Sequence, residues 1–272
     1  HPDKPTIFMG SRSVFNFTMR LDSHAGGHHS GNWGGLLTNP GVVMAHAIAS
    51  MIDRNGKILV EGWRSTQIPN SVRAAIAKLD VGEGENTPDI NPNWGEPDLT
   101  IAERVFASNT FEVRAFETGN PKSPANAIPP SAVVFGHLRY VVGTDISKLM
   151  PLLRAHLDKH GFNDITITSE RDMMPATRLD PDHPWAKWAI KSLSKTAEDE
   201  IAVIPNLGGA LPNDVFADLL GLPTIWVPHS YAGCSQHAPN EHILESISKS
   251  ALRLMTGLWW DLGEGNTPRQ VS

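Results

Sequence analysis

The pentapeptide His237-Ala238-Pro239-Asn240-Glu241 places an imidazole, a helix-capping amide and a carboxylate between an apolar run and a long helical pattern. A neutral imidazole there can bind zinc, and loops beyond the carboxyl ends of parallel strands are where an open α/β sheet holds its ligands. Read alone, the same residues are a capped helix start with a bystander histidine. A second cluster, His28-His29-Ser30-Gly31 with Gly34-Gly35, sets histidines among glycines that let a ligand approach the backbone. A histidine so placed can donate to a developing oxyanion. The third, Gly208-Gly209-Ala210-Leu211-Pro212-Asn213, is a strand-to-helix turn suited to aiming backbone N–H groups at an anion. Each of the last two also reads as an ordinary turn. His156-Leu157-Asp158 has metal-binding His-x-Asp spacing. It falls inside a helical pattern where residues two apart face nearly opposite ways, which predicts a solvated surface pair. Cys234 lies near His229 and His237, but local spacing of that kind does not define a cysteine nucleophile.

The elements that must position these groups follow from hydrophobic period. Residues 13–21 alternate apolar and polar, as do 110–116 and 132–142, which predicts three half-buried strands. Val43, Ala47, Ile48 and Met51 repeat at helical spacing over 40–52, and Leu149, Leu152, Leu153 and Leu157 form a stripe over 146–160, closed by Gly161. A fourth strand is predicted at 165–169. The order strand–helix–strand–strand–helix–strand is that of a ferredoxin-like α+β sandwich. Between its first helix and second strand, 55–109 reads as a surface insertion with helical turns at 71–79 and 99–106 and a Gly/Pro/Asn/Asp-rich loop at 82–98. A boundary is expected near Met174-Pro175. Beyond it, helix 185–196, strand 201–204, short helix 214–220, strand 224–227 and helix 240–260 predict a parallel α/β sheet. Two strands are few for such a sheet, so this half reads as incomplete. The tail 263–272 is expected to be disordered.

The chain has 272 residues, of which 40% are hydrophobic and 19% charged, enough for a packed core. Lys plus Arg is 23 against 29 Asp plus Glu, a net charge of −6 without a basic block. That composition gives no electrostatic reason to bind nucleic acid or an anionic membrane. No apolar run reaches the ~18–20 residues of a membrane helix. One cysteine excludes an internal disulfide and fits a reducing, cytoplasmic setting. The opening His1-Pro2-Asp3-Lys4-Pro5 reads as an internal point of a longer polypeptide.

Four motifs in order make the chain resemble the zinc metallopeptidase family of carnosinase-type dipeptidases, aminoacylase, acetylornithine deacetylase and succinyl-diaminopimelate desuccinylase. His29-Ser30-Gly31-Asn32-Trp33-Gly34-Gly35 with Asn39-Pro40 resembles the family's lid-domain loop. Asn126-Ala127-Ile128-Pro129 with Arg139 resembles its Asn-x-Ile-Pro…Arg pair, Gly208-Gly209 with Phe216 its catalytic-domain turn, and His237 with Asn240-Glu241 its late His-x-x-Asn-Glu. The long insertion is most similar to the dipeptidase branch, although Ser131 stands where some dipeptidases carry an arginine.

The resemblance implies a ferredoxin-like lid (dimerisation) domain over 1–174, with its insertion, and the C-terminal portion of a two-zinc α/β catalytic domain over 175–262. It implies that His237 is a metal ligand and that His29 reaches across a homodimer to hydrogen-bond the oxyanion in the partner's site. It further implies that Asn126, Arg139, Gly208 and Gly209 hold a small peptide or acyl-amino-acid substrate. The family's His-x-Asp, bridging Asp, Glu-Glu pair and next carboxylate have no counterpart, and no adjacent Glu-Glu occurs in the chain. A catalytic zinc usually needs three protein ligands, so the chain is expected to be inactive alone and to need a missing N-terminal catalytic segment. The alternative is a non-catalytic dimerisation module derived from the same family.

Overall fold

A computed structural model describes residues 4–65, 67–79, 81–82, 88–169, 174–231, 233–265 and 267–268. The chain begins with two short strands, β1 (Thr6–Phe8) and β2 (Gly10–Ser11), and then enters β3 (Ser13–Asp22). A two-residue strand β4 (His28–His29) leads into a single helical turn α1 (Ser30–Trp33). Helix α2 (Pro40–Met51) follows, its start fixed by Asn39, whose side chain accepts from Gly41 and Val42 N–H, and by Pro40 at the first helical position. Short helices α3 (Asn70–Ile76) and α4 (Ile101–Phe106) precede β5 (Thr110–Thr118), β6 (Ala127–Ile128) and β7 (Ser131–Tyr140). Helix α5 (Ile146–Lys159), capped by Asp145, and strand β8 (Thr166–Ser169) complete the unit.

The four long strands form one sheet in the order β5-β7-β3-β8, every neighbour antiparallel. That is the ferredoxin-like arrangement expected from the element order. Along β3 the inward set Phe15, Phe17, Met19 and Leu21 meets Met44, Ala47 and Met51 of α2 and Leu149, Leu153 and Leu157 of α5. Rings of Phe15, Phe17, Trp63 and Phe111 pack with centroids 5.4–6.1 Å apart. Gly136 of β7 is required here, since a Cβ would lie 2.5 Å from the Phe17 ring.

The insertion is more than surface. Ile58, Val60 and Trp63 belong to the lid core, and Trp63 Nε1 donates to Leu149 O at 3.1 Å. Helices α3 and α4 bury Val72, Ile76 and Ala107 in a separate small cluster. His156 also departs from expectation. It is buried, hydrogen-bonded to Ser50 Oγ at 3.1 Å and stacked on His160 at 4.4 Å, because its turn of α5 faces α2 rather than solvent.

Beyond the lid lie β9 (Thr177–Arg178), α6 (Pro184–Ala197), β10 (Ala202–Ile204) and α7 (Glu245–Gly263). The parallel partner of β10 is β1, from the start of the chain, and β2 pairs antiparallel with β9. The predicted strand 224–227 reduces to one bridge, Trp226 with Phe8, both bonds at 2.8 Å. Pro223 and Pro228 bracket that stretch and leave no room for a longer ladder. The predicted helix at 214–220 is a single π-helical turn, Val215–Leu219. The last helix starts at Glu245 rather than 240, because Ser235, His237 and Asn240 adopt left-handed backbone (φ 58°, 60° and 64°). It runs to Gly263, and of the expected tail, 266 and 269–272 lie outside the described residues.

Candidate functional site

At one end of the lid, β4 pairs with β6 so that His29 stands opposite Ala127. Ser30 locks the two motifs together: its N–H donates to Asn126 O at 2.9 Å and its Oγ at 3.0 Å. The His29 imidazole folds back to cap α1, Nδ1 accepting the Gly31 N–H at 3.1 Å. Only a glycine permits this, since a Cβ at Gly31 would sit 2.8 Å from His29 Cε1. With Nδ1 as acceptor, a neutral ring carries its proton on Nε2, which remains available as a donor. Both His29 and Asn126 are exposed.

Arg139 lies at the other end. From Ser131 to Arg139, β7 spans roughly 26 Å at ~3.3 Å per residue. Arg139 pairs with Val14 and Thr110 and shares its neighbourhood with Arg12, Arg114, His137 and Glu112. Burial, then the charges of Arg139, Arg114 and Arg12, push His137 down to about 4. Burial and the Arg139 charge lower Arg12 to about 10, whereas burial raises the Glu112 carboxyl against the pull of Arg12. Burial is the leading cause in all three, with the neighbouring arginines adding to it at His137 and Arg12.

The Gly208-Gly209 turn follows Leu207, whose carbonyl accepts the Arg12 N–H at 2.8 Å. A Cβ at Gly208 or Gly209 would meet nothing within 4 Å among the described residues, so nothing in the described fold itself requires these glycines. Gly209, Leu207, Tyr231 and Gln236 line an apolar groove of about 730 Å³ together with half-buried Phe8, Leu211 and Trp226 and buried Leu254. His237 follows Gln236 and is exposed. Its loop is pinned by His242: Nδ1 donates to Asn240 O and Nε2 accepts from Tyr231 Oη, both at 2.9 Å, while His242 N–H bonds Cys234 O. Phe216, on the π-helical turn, is exposed.

The structure therefore brings His29 to Asn126, while Arg139 lies roughly 26 Å along β7 and is joined to the Gly208-Gly209 turn, among the described residues, only through Arg12, which bonds Leu207 O and Arg139 O. Sequence reasoning missed Arg12, His137 and the Tyr231–His242 pair. Arg12 could have been suspected as a charged residue at the start of a strongly alternating strand; the others carry no local signal.

The peptidase dimerisation domain of M20 enzymes matches residues 12–165. This chain belongs to the M20 peptidase family. Among curated M20 relatives, human β-Ala-His dipeptidase is 22% identical over 255 residues, covering 88% of this chain and 49% of the relative. The Cys-Gly metallodipeptidase DUG1 of Saccharomyces cerevisiae is 22% identical over 269 residues, covering 88% and 52%. The solved structure of the M20 family metallo-carboxypeptidase Sso-CP2 from Sulfolobus solfataricus superposes with a TM-score of 0.77 at 26% identity, covering 94% of this chain and 60% of that one. Yeast Dug1p gives a TM-score of 0.75 at 19% identity, with 98% and 57% covered, a likeness of fold. The chain spans about half the length of the curated relatives it matches.

Two of these M20 relatives are metalloenzymes by name. Among the described residues no three His, Cys, Asp or Glu side chains are grouped to hold a metal ion. His237 thus belongs to no such group of three among the described residues, and the residues present do not by themselves fit a hydrolytic zinc pair. Among the described residues no helix is long and apolar enough to cross a membrane.

Proposed function

We propose that this chain is the lid and the C-terminal catalytic part of a two-zinc hydrolase that cleaves dipeptides or N-acyl amino acids as a homodimer. The division falls near Met174-Pro175, with β1 and β2 crossing back to pack on the second half. The observation that carries the reading is the lock between His29-Ser30 and Asn126, far along the sheet from Arg139. Substrate groups at opposite ends of one sheet converge only when a second copy offers its His29–Asn126 end to the first copy's Arg139–Gly208 end.

In that arrangement His29 Nε2–H donates to the oxyanion forming on the scissile carbonyl, and Asn126 supplies an amide beside it. Arg139 forks onto the substrate carboxylate, and Gly208-Gly209 leave space for the substrate backbone. His237 contributes one zinc ligand. The remaining ligands and the general base belong to polypeptide outside this chain, and the apolar groove beside Gly209 is the surface it covers. Edge strand β5, with Val113 39% and Phe116 42% exposed, favours lid-to-lid pairing.

The ungrouped His237 favours a second reading, a non-catalytic dimerisation module. Mixing the chain with a catalytic segment carrying the His-x-Asp and Glu-Glu ligands, in zinc, separates the two. The first reading expects hydrolysis of β-Ala-His or N-acetyl amino acids, lowered about 10²–10³-fold by His29→Gln. A folded, mixed complex without hydrolysis supports the second.

A further inference from the structure

Arg12 stands where the chain leaves the second half and enters the lid, and it is bonded to both. Its N–H donates to Leu207 O at 2.8 Å and Leu207 N–H donates to Gly10 O at 2.9 Å, one residue before Gly208-Gly209. Its guanidinium reaches the lid, Nη1 donating to Val105 O at 2.9 Å and Nη2 to Thr110 Oγ1 at 2.7 Å and Arg139 O at 3.3 Å. The residue is only 5% exposed. All three acceptors are uncharged, and Nε is buried with no partner among the described residues.

A buried guanidinium whose hydrogen-bond acceptors are all neutral is unfavourable, the attraction of Glu112 offsetting only part of its burial and of the repulsion from Arg139. What an uncharged residue cannot do is hold two strands with one rigid fork while adding positive field to the neighbourhood of Arg139 and Arg114. That neighbourhood already acts on His137, where Arg12 is one of three cations felt.

We propose that Arg12 is a positioning residue that holds the Arg139 end of β7 in register with the Gly208-Gly209 turn. That register keeps Arg139 and the Gly208-Gly209 turn, two elements tied by the bonds of Arg12, in fixed relation for the carboxylate and backbone of a dipeptide or acyl amino acid. This rests on the substrate roles proposed above for Arg139, Gly208 and Gly209. Arg12 itself touches no substrate.

The test titrates the ¹⁵N-labelled chain with N-acetylglycine. In the unsubstituted chain, the Gly208 and Gly209 amides and the His137 ring signals shift with one common Kd. Arg12→Gln weakens that Kd tenfold or more, moves the His137 pKa upward from about 4, and speeds hydrogen exchange at both Leu207 and Arg139. Arg12→Lys keeps the charge and loses the fork, so His137 stays low while the Kd remains weak and exchange remains fast. A brace of purely structural value would not separate charge from fork in this way. A folded Arg12→Gln or Arg12→Lys with unchanged Kd overturns the proposal, as does faster exchange on the lid side alone or loss of fold in both variants. If the unsubstituted chain binds no N-acetylglycine, the substrate assignment fails separately, and exchange at Leu207 and Arg139 still decides whether Arg12 couples the two regions.

Discussion

The lid and the second half use their secondary structure to opposite effect. In the lid, four antiparallel strands and two helices enclose a continuous core in which Phe15, Phe17, Met19, Met44, Trp63, Leu138 and Leu153 are essentially inaccessible. In the second half, α6 and α7 bury a smaller set around Ile7, Met9, Ala189 and Leu193, while the sheets stop at two strands. An apolar groove runs beside them, and Trp259 and Trp260 on α7 are 65% and 70% exposed. The lid satisfies its own hydrophobic faces. The second half leaves apolar faces uncovered, and the chain spans about half the length of the curated relatives it matches.

The largest expected effect comes from breaking the lid's side of this contrast. Trp63→Ala removes an inaccessible ring and its bond to Leu149 O, and urea unfolding should register a loss of about 3–5 kcal/mol. A paired substitution sharpens the comparison directly. Leu153→Ala, in the closed lid core, should cost about 2–5 kcal/mol. Leu254→Ala, which lines the groove, should cost less, because no closed cavity forms there. Equal losses in the two would contradict the difference between the regions. Gly136→Ala should follow at about 1–3 kcal/mol, since its methyl would press on the Phe17 and Phe111 rings.

A smaller effect concerns pH. His137 and His156 both sit below the usual imidazole value of 6.5, His137 at about 4 through burial and neighbouring arginines, His156 through burial and the adjacent His160. Their unfolded forms take up protons that the folded lid refuses. Their contribution is therefore complete above 6.5 and is lost as pH falls toward about 4. Lid unfolding followed from pH 7.5 to 4 should show a shallower decline in His137→Gln than in the unsubstituted chain. An identical decline would remove His137 from the account.

The ferredoxin-like lid was legible because its strands are long, with period-two burial that survives in β3 and β7 almost residue for residue. Its helices carried explicit start signals in Asn39-Pro40 and Asp145. The second half was less legible because its pairings are short and distant in sequence: β10 pairs with residues nearly 200 positions away, and Trp226 makes a bridge rather than a strand. Trp63 was hidden inside an insertion without a periodic element. Among functional groups, the motif residues could be named through the family resemblance, yet their division between two ends of the sheet required the register of β4 with β6 and of β3 with β7. Arg12 and His137 are defined by burial among other cations, a property that no local pattern announces.

The claim on which the rest depends is that His237 alone cannot retain a hydrolytic metal pair. Elemental analysis of the purified chain, loaded with zinc and dialysed against metal-free buffer, tests it most directly. Less than one tightly held zinc per chain is the predicted result; two retained equivalents per chain would contradict it.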